Sequence, residues 1–438
     1  MLPSFLEIPQ SERFILRNAA LPAVAASGYA APARDGLLAA DIEIAHGLIA
    51  AISEPGQQAQ SIPAVDLRGG QVWPCFADMH THLDKGHIWS RKNNPDGTFD
   101  GAIEAVRCDR EANWSALDVA ARMDFSLRSA YAHGTKLIRT HIDSLPPQHE
   151  ISWPVFAEMR EKWAGRIDLQ AVALFPLDLM EDRAAYLDLV EQVTAHGGLL
   201  GGVTRMGPML EEQLELLFRT AMEKGLDIDL HVDETADAEA KTLQAIAEAV
   251  IRNRFDGHVV VGHCCSLARQ GENEAAETID KVAEAGLAVV SLPMCNMYLQ
   301  DRQAGRTPRW RGVTLINELA EAGVATAIAS DNTRDPFYAY GDLDPVEVFR
   351  EGVRVLHLDH PIDLAPRLIT ANPAKILRRP DVGTIAVGRP ADLVLFSARG
   401  WTELLARPQS DRIVMRGGKT IERQLPDYRE LDELLGVY

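Results

Sequence analysis

LDIDLHVDE (226–234), AEAKTLQAIAEAVIRNR (238–254) and HVVVGHCC (258–265) follow one another in the middle of the chain. The first and third are short apolar, β-branched runs; the Ala-rich segment between them has helical period. Together they form a strand–helix–strand unit, with a histidine closing each strand. The same alternation continues outward. QVWPCFADMH (71–80), TKLIRTHID (135–143), DLQAVALFP (168–176), GLLGGVTRM (198–206), LAVVSLPM (287–294) and VATAIASD (324–331) read as further buried strands. Between them lie helix-like stretches such as SALDVAARMDFSLRSAYAHG (115–134), EEQLELLFRTAMEKG (211–225) and GVTLINELAEAG (312–323). Each of these ends on glycine shortly before a strand, as helix C-caps do.

Eight strand–helix units predict an α/β chain folded as a (β/α)8 TIM barrel. A doubly wound open sheet is the rival, because it shows the same local alternation. Outside this block the texture changes. FILRNAAL (14–21), LLAADIEIA (37–45) and GLIAAIS (47–53), then the turn-like EPGQQAQ (54–60), precede it; VGTIAVG (382–388), ADLVLFS (391–397) and DRIVMRGGK (411–419) follow it. The spacing therefore predicts a catalytic barrel over 74–376. Residues 1–73 and 377–438 are expected to meet in a small β-sandwich domain.

Composition narrows the partners. The 438 residues carry 44 Lys+Arg against 63 Asp+Glu, a formal net charge of −19. Such a surface repels phosphate backbones and anionic lipid, so no nucleic-acid or membrane partner is expected. No run of about 18 uncharged apolar residues is present. The N-terminal MLPSFLEIPQSERF lacks the basic-then-apolar pattern of a secretory signal. Five scattered cysteines without a CxxC pair suit neither a disulfide framework nor a structural zinc cage. A cytoplasmic location is the expectation, and a homo-oligomer is compatible with it.

The chemistry lies at the strand ends. His80 and His82 stand two apart on the first strand, so both imidazoles point to one face. His231 ends the fifth strand, His263 the sixth and Asp331 the eighth, the face on which barrel enzymes carry their sites. Three nitrogens and a carboxylate drawn from these residues would hold one divalent metal ion, with Zn2+ or Fe2+ suiting the N/O donors. Glu234, three residues after His231, has the placement of a proton shuttle; alone it would read as a helix N-terminal acid. His141, Asp143, Asp84, Lys85 and His87 are further pocket candidates. Cys264 and Cys265 read as small buried apolar residues, and Trp310–Arg311 as a segment able to cover the site. The HxE…PCxxC zinc-site signature is absent.

These stretches resemble a known group. FADMHTHLDK (76–85), GTKLIRTHID (134–143), HVDETAD (231–237), VVVGHCC (259–265), LPMCNMYLQDR (292–302), TPRWRGVT (307–314) and SDNTRDPFY (330–338) are similar to the amidohydrolase superfamily, and within it to the bacterial cytosine deaminase branch. The closing VGTIAVGRPADLVLF (382–396) extends the resemblance to the C-terminal β segment. The resemblance implies a metal held by His80, His82, His231 and Asp331, with Glu234 as proton shuttle and His263 polarising the attacking water or the intermediate. The catalytic set it implies is Glu234, His263 and Asp331. Two-metal relatives carry a bridging lysine at the end of the third or fourth strand; none stands there, which implies one metal ion.

The implied function is hydrolytic deamination of a nucleobase-like heterocycle, a small-molecule substrate of cytosine type. Two positions depart from that pattern. Leu177 follows Phe175–Pro176 where cytosine deaminases carry a glutamine, and Asn332 follows Asp331 where a second aspartate is common. With Asp84 and Lys85 these are the expected substrate-binding residues. Losing a polar group that reads a substrate edge shifts specificity strongly, so the alternative is another amino-heterocycle of triazine, pterin or creatinine type, or cleavage of a cyclic amide. A catalytically silent metal- or ligand-binding protein is the remaining rival.

Overall fold

The computed structural model describes residues 5–57 and 61–436. The first four residues of MLPSFLEIPQSERF and the last three of EPGQQAQ lie outside the described residues.

The eight expected strands form, and we number them β1 (Phe76–Thr81), β2 (Thr135–Asp143), β3 (Asp168–Leu174), β4 (Leu200–Val203), β5 (Ile228–Val232), β6 (Val259–His263), β7 (Ala288–Ser291) and β8 (Ala325–Ile328). They are buried almost throughout, which is why they read as continuous apolar runs. β4 to β8 make one five-stranded parallel ladder in sequence order. β1, β2 and β3 make a separate three-stranded sheet. Among the described residues only isolated bridges link the two sets, Val172 with Leu199, Pro176 with Val203, and Thr81 with Asp331. The regular pairing therefore does not run continuously round as a closed barrel.

The helices between strands begin and end where local chemistry dictates. Asp182 accepts from the N–H groups of Ala184 and Ala185 at the start of Arg183–Ala195. Leu210–Lys224 stops at Gly225, whose φ of 64° an L side chain rarely adopts. Two adjacent glycines in β4 are set by close approach. A Cβ on Gly201 would stand 2.4 Å from the Ala173 carbonyl oxygen and 2.6 Å from that of Asp229.

QVWPCFADMH is two strands rather than one. Val72–Pro74 pairs antiparallel with Leu393–Leu395, and the chain passes through Cys75 into β1. Pro74 lacks the N–H that a continuing ladder would use.

The chain divides into two compact units. One comprises the described residues up to Asp78 with Arg128–Leu137 and Leu343–Asp427. Its five-stranded sheet holds Arg13–Pro22, Ala33–Arg34, Leu37–Ala45, Leu48–Ser53 and Ala64–Asp66; its four-stranded sheet holds Val72–Pro74, Leu393–Leu395, Ile413–Arg416 and Lys419–Thr420. Phe14, Leu16, Ile42, Leu393, Leu395 and Met415 from both sheets belong to one apolar core. The other unit, Met79–Leu127, Ile138–Asp342 and the described residues from Tyr428, contains the strand ends that bear the histidines. Leu431 and Leu435 near the C-terminus pack on Phe125 there. No helix among the described residues is long and apolar enough to cross a membrane.

Candidate active site

The alternation of β1 places His80 and His82 on one face, and both are buried. His231 lies in β5 in register with Gly262 of β6, one residue before His263. Gly262 lets the His80 ring sit close: a Cβ there would meet its Cε1 at 3.0 Å, and the ring would have to give by a few tenths of an ångström. At three strand ends the backbone turns left-handed, at Asp233 (φ 48°), His263 (70°) and Asp331 (64°). Such conformations cost on the order of 1–3 kcal/mol each and collect at functional sites. The Asp331 N–H donates to the His80 carbonyl at 2.9 Å, fixing the two strand ends together.

Four side chains converge. His231 Nε2 lies 3.2 Å from His80 Nε2 and 3.3 Å from His82 Nε2; Asp331 Oδ1 lies 3.1 Å from His82 Nε2 and 3.6 Å from His80 Nε2. One imidazole N–H cannot satisfy two facing nitrogens at once. A tetrahedral ion with donors at about 2.0–2.1 Å sets neighbouring donors about 3.3 Å apart. Burial, reinforced by the surrounding imidazoles, drives His80 and His231 well below the usual histidine range, and burial with Lys85 does so for His82. Neutral imidazoles are the ligating form. The donor set, its spacing and its protonation all fit one divalent ion.

Other groupings fit less well. His141 and Asp229 lie near His80, but Asp229 Oδ2 already accepts from Arg139 at 2.8 Å. His149, Glu150 and Asp188 also gather, with two of the three exposed and His149 Nε2 bonded to Asp188 at 2.6 Å.

Glu234 sits beside this cluster with 11% of its side chain exposed. Burial, then the nearby Asp331, pushes its carboxyl well above the ordinary range. Its Oε1 lies 3.4 Å from His263 Nδ1. Burial, with Lys85, takes His263 down to about 3, so its ring is neutral. Asp233 has a structural duty instead, accepting from the N–H groups of Thr242 and Leu243 at the start of Thr242–Asn253.

A cavity of about 790 Å³ opens onto these groups, with His82, His231, Glu234, His263 and Asp331 in its wall. Of the expected substrate contacts, Lys85 and Asn332 line it; Leu177 and Asp84 do not. Leu177 is buried against Gly202. Asp84 is buried and accepts from the Asp143 N–H at 2.8 Å, serving the loop after β1. Lys85 is held by Asp143 at 3.3 Å and lies 5.1 Å over the Phe337 ring. Burial disfavours its charge, but Asp143, Asp335 and Asp84 outweigh burial and raise it. Asn332 donates to Asp335 at 2.7 Å. Asp143 lines the cavity, whereas His141 and His87 do not. Cys264 and Cys265 are buried, and burial raises both thiols. The Trp310 N–H donates to Asp301, a cavity residue, at 3.2 Å.

Two polar residues escaped sequence reasoning. Asn296 donates from Nδ2 to His263 Nδ1 at 2.9 Å and to Glu234 Oε1 at 3.2 Å, and Gln300 Nε2 donates to the Glu234 carbonyl at 3.2 Å. Their signal was the i, i+4 spacing of two carboxamides in the otherwise apolar PMCNMYLQ.

Residues 117–421 match the Amidohydrolase family. The chain belongs to that family. Along 434 residues, 99% of each chain, it is 66% identical to a pterin deaminase of Rhizobium rhizogenes (strain K84). It is 26% identical to an N-isopropylammelide isopropyl amidohydrolase of Pseudomonas sp. (strain ADP), over 76% of this chain and 81% of that one. Among solved structures, a Klebsiella pneumoniae 5-methylcytosine deaminase bound to 5-fluorocytosine superposes with a TM-score of 0.80 at 23% identity, covering 95% of this chain and 98% of that one. At that identity the likeness concerns the α/β fold of this amidohydrolase, and it extends over nearly the whole chain.

Proposed function

We propose that this amidohydrolase is a metal-dependent hydrolytic deaminase of a pterin-type heterocycle. The carrying observation is the 66% identity, end to end, with a pterin deaminase. It supports the pterin alternative over cytosine, and Leu177 agrees: a residue buried against Gly202 reads no pyrimidine edge. The amino-bearing ring of a pterin is an isocytosine fused to a second ring, and a cavity of about 790 Å³ has room for both.

A divalent ion, Zn2+ or Fe2+, held by His80, His82, His231 and Asp331 would lower the pKa of a water toward neutrality. Glu234 takes a proton from the attacking water and delivers it to the ring nitrogen beside the amino-bearing carbon. Its raised proton affinity suits a group that must hold the proton between the two transfers. His263 hydrogen-bonds the oxygen that adds to that carbon. Asp331 orients the water. Transfer of the remaining hydroxyl proton of the adduct to the exocyclic amine then lets the C–N bond break, so that ammonia leaves and the oxo product remains. Lys85, with Asp143, and Asn332, with Asp335, are the polar contacts placed to orient the ring.

In the same reading β1 to β8 form a (β/α)8 barrel over 74–376, supported by the bridges at Thr81–Asp331 and Val172–Leu199. The small β-sandwich is narrower than residues 1–73 and 377–438: it comprises the two sheets whose strands lie within 13–74 and 393–420, and the described segment from Tyr428 goes with the other unit, where Leu431 and Leu435 pack on Phe125. The substrate is a free small molecule in the cytoplasm, not a nucleic acid or a membrane component. A panel of pterin, isocytosine, cytosine, a triazine and creatinine, assayed for ammonia, tests it. Pterin is expected to exceed cytosine and isocytosine in kcat/KM by at least about 100-fold; cytosine as the best substrate would overturn it.

A further inference from the structure

The helix Pro293–Leu299 follows β7 and carries Asn296 with its side chain fully buried. One atom, Nδ2, faces both His263 Nδ1 (2.9 Å) and Glu234 Oε1 (3.2 Å). A carboxamide NH2 donates and cannot accept. Glu234 Oε1 accepts from this NH2 whether the carboxyl is ionised or carries a proton on its other oxygen, so the amide orientation suits both states. The amide in turn requires a lone pair on His263 Nδ1, and a neutral imidazole then has its one proton on Nε2. His263 Nε2 is buried, has no hydrogen-bond partner among the described residues, and belongs to a side chain in the cavity wall.

We infer that Asn296 is a positioning residue that fixes His263 as the Nε2–H tautomer and aims the Glu234 carboxylate through the same NH2 group. The hydrogen-bond donor and the proton carrier are thus set by one side chain before substrate arrives. Gln300 steadies the arrangement: its backbone N–H bonds the Asn296 carbonyl at 2.9 Å and its side chain bonds the Glu234 carbonyl. The consequence for turnover rests on the deaminase reading above; the tautomer does not.

The test compares Asn296→Asp with Asn296→Ala in the full-length, metal-loaded protein. Asp is isosteric but, when ionised, can only accept, so it demands Nδ1–H on His263 and withdraws the donor that Glu234 Oε1 accepts from. For the free enzyme, 15N spectra of labelled histidine, with His263 assigned by its loss in His263→Asn, are expected to show Nδ1 unprotonated and Nε2 protonated. Asn296→Asp is expected to reverse this. It should lower kcat on the panel's best substrate roughly 10²–10⁴-fold with KM within about threefold. Asn296→Ala should lose less than Asp. A merely structural residue would give the opposite order, the isosteric Asp being tolerated best. The inference is overturned if wild-type His263 carries its proton on Nδ1, or if Asn296→Asp retains more kcat than Asn296→Ala. Should Asn296→Asp not fold, the wild-type spectrum alone decides. Failure of every substrate in the panel would remove the deaminase reading while leaving the tautomer result to stand or fall separately.

Discussion

Glu234→Gln isolates proton transfer from everything else in the site. The glutamine has the same shape, and its Oε1 can still accept from Asn296 as the carboxylate does at 3.2 Å. What it loses is the ability to carry a proton. The buried aspartates that share the cavity cannot take over. Asp331 faces His80 and His82, Asp233 is occupied by Thr242 and Leu243, and Asp143 by Lys85 and Arg110. With no substitute base, the whole of the usual 10²–10⁴-fold contribution of general acid–base catalysis should disappear from kcat. That raises the barrier by about 3–5 kcal/mol. Binding should change little, so KM is expected to stay within about threefold. Removing a buried carboxylate also relieves a desolvation cost, so the melting temperature should not fall. The assay is steady-state ammonia release alongside metal analysis by mass spectrometry. A kcat within about tenfold of wild type, at unchanged metal content, would remove Glu234 from the proposed role.

Three further outcomes follow from the same structure. Gly262→Ala puts a Cβ 3.0 Å from His80 Cε1 and should displace that ring, lowering metal affinity roughly 10–100-fold, read by metal retention during dialysis against a chelator; full retention would contradict it. Exhaustive chelation should abolish turnover and added Zn2+ or Fe2+ should restore it, whereas full activity in the stripped protein would exclude a metal role. Asp344 binds Arg412 through both oxygens at 2.6 Å. Burial alone would raise its carboxyl, but Arg412, His133 and the Val346 N–H overcome burial and hold it down to about 2. A depressed folded-state pKa stabilises above the ordinary carboxyl range and is lost as pH falls from about 4 toward 2, about 2 kcal/mol in all. Asp344→Asn should cost about 3–5 kcal/mol near neutral pH by leaving the Arg412 guanidinium unpaired, and should flatten that acid limb; denaturant melts from about pH 7 down to about pH 2 check both.

The site was legible wherever a periodic rule applied. Two-residue alternation put His80 and His82 on one face, and the ends of the fifth, sixth and eighth strands located His231, His263 and Asp331. The rule does not reach residues whose duty is set across the fold. Asn296 is 33 positions from His263 and 62 from Glu234, so only the folded chain brings them together. Leu177 was expected to face substrate because it follows Phe175–Pro176, but Gly202 on the next strand leaves a space that its side chain fills. The split of residues 71–80 between two sheets was marked by Pro74 and masked by an unbroken apolar run. Near the C-terminus, Leu431 and Leu435 look like any short amphipathic stretch until Phe125 supplies their partner.

The most direct measurement is turnover of pterin in water enriched in 18O, following ammonia and the product mass together. Hydrolytic deamination gives one ammonia per pterin consumed and a dioxo product with the ring intact and one labelled oxygen at the carbon that bore the amine. No ammonia, or a ring-opened product carrying the added elements of water, would contradict it.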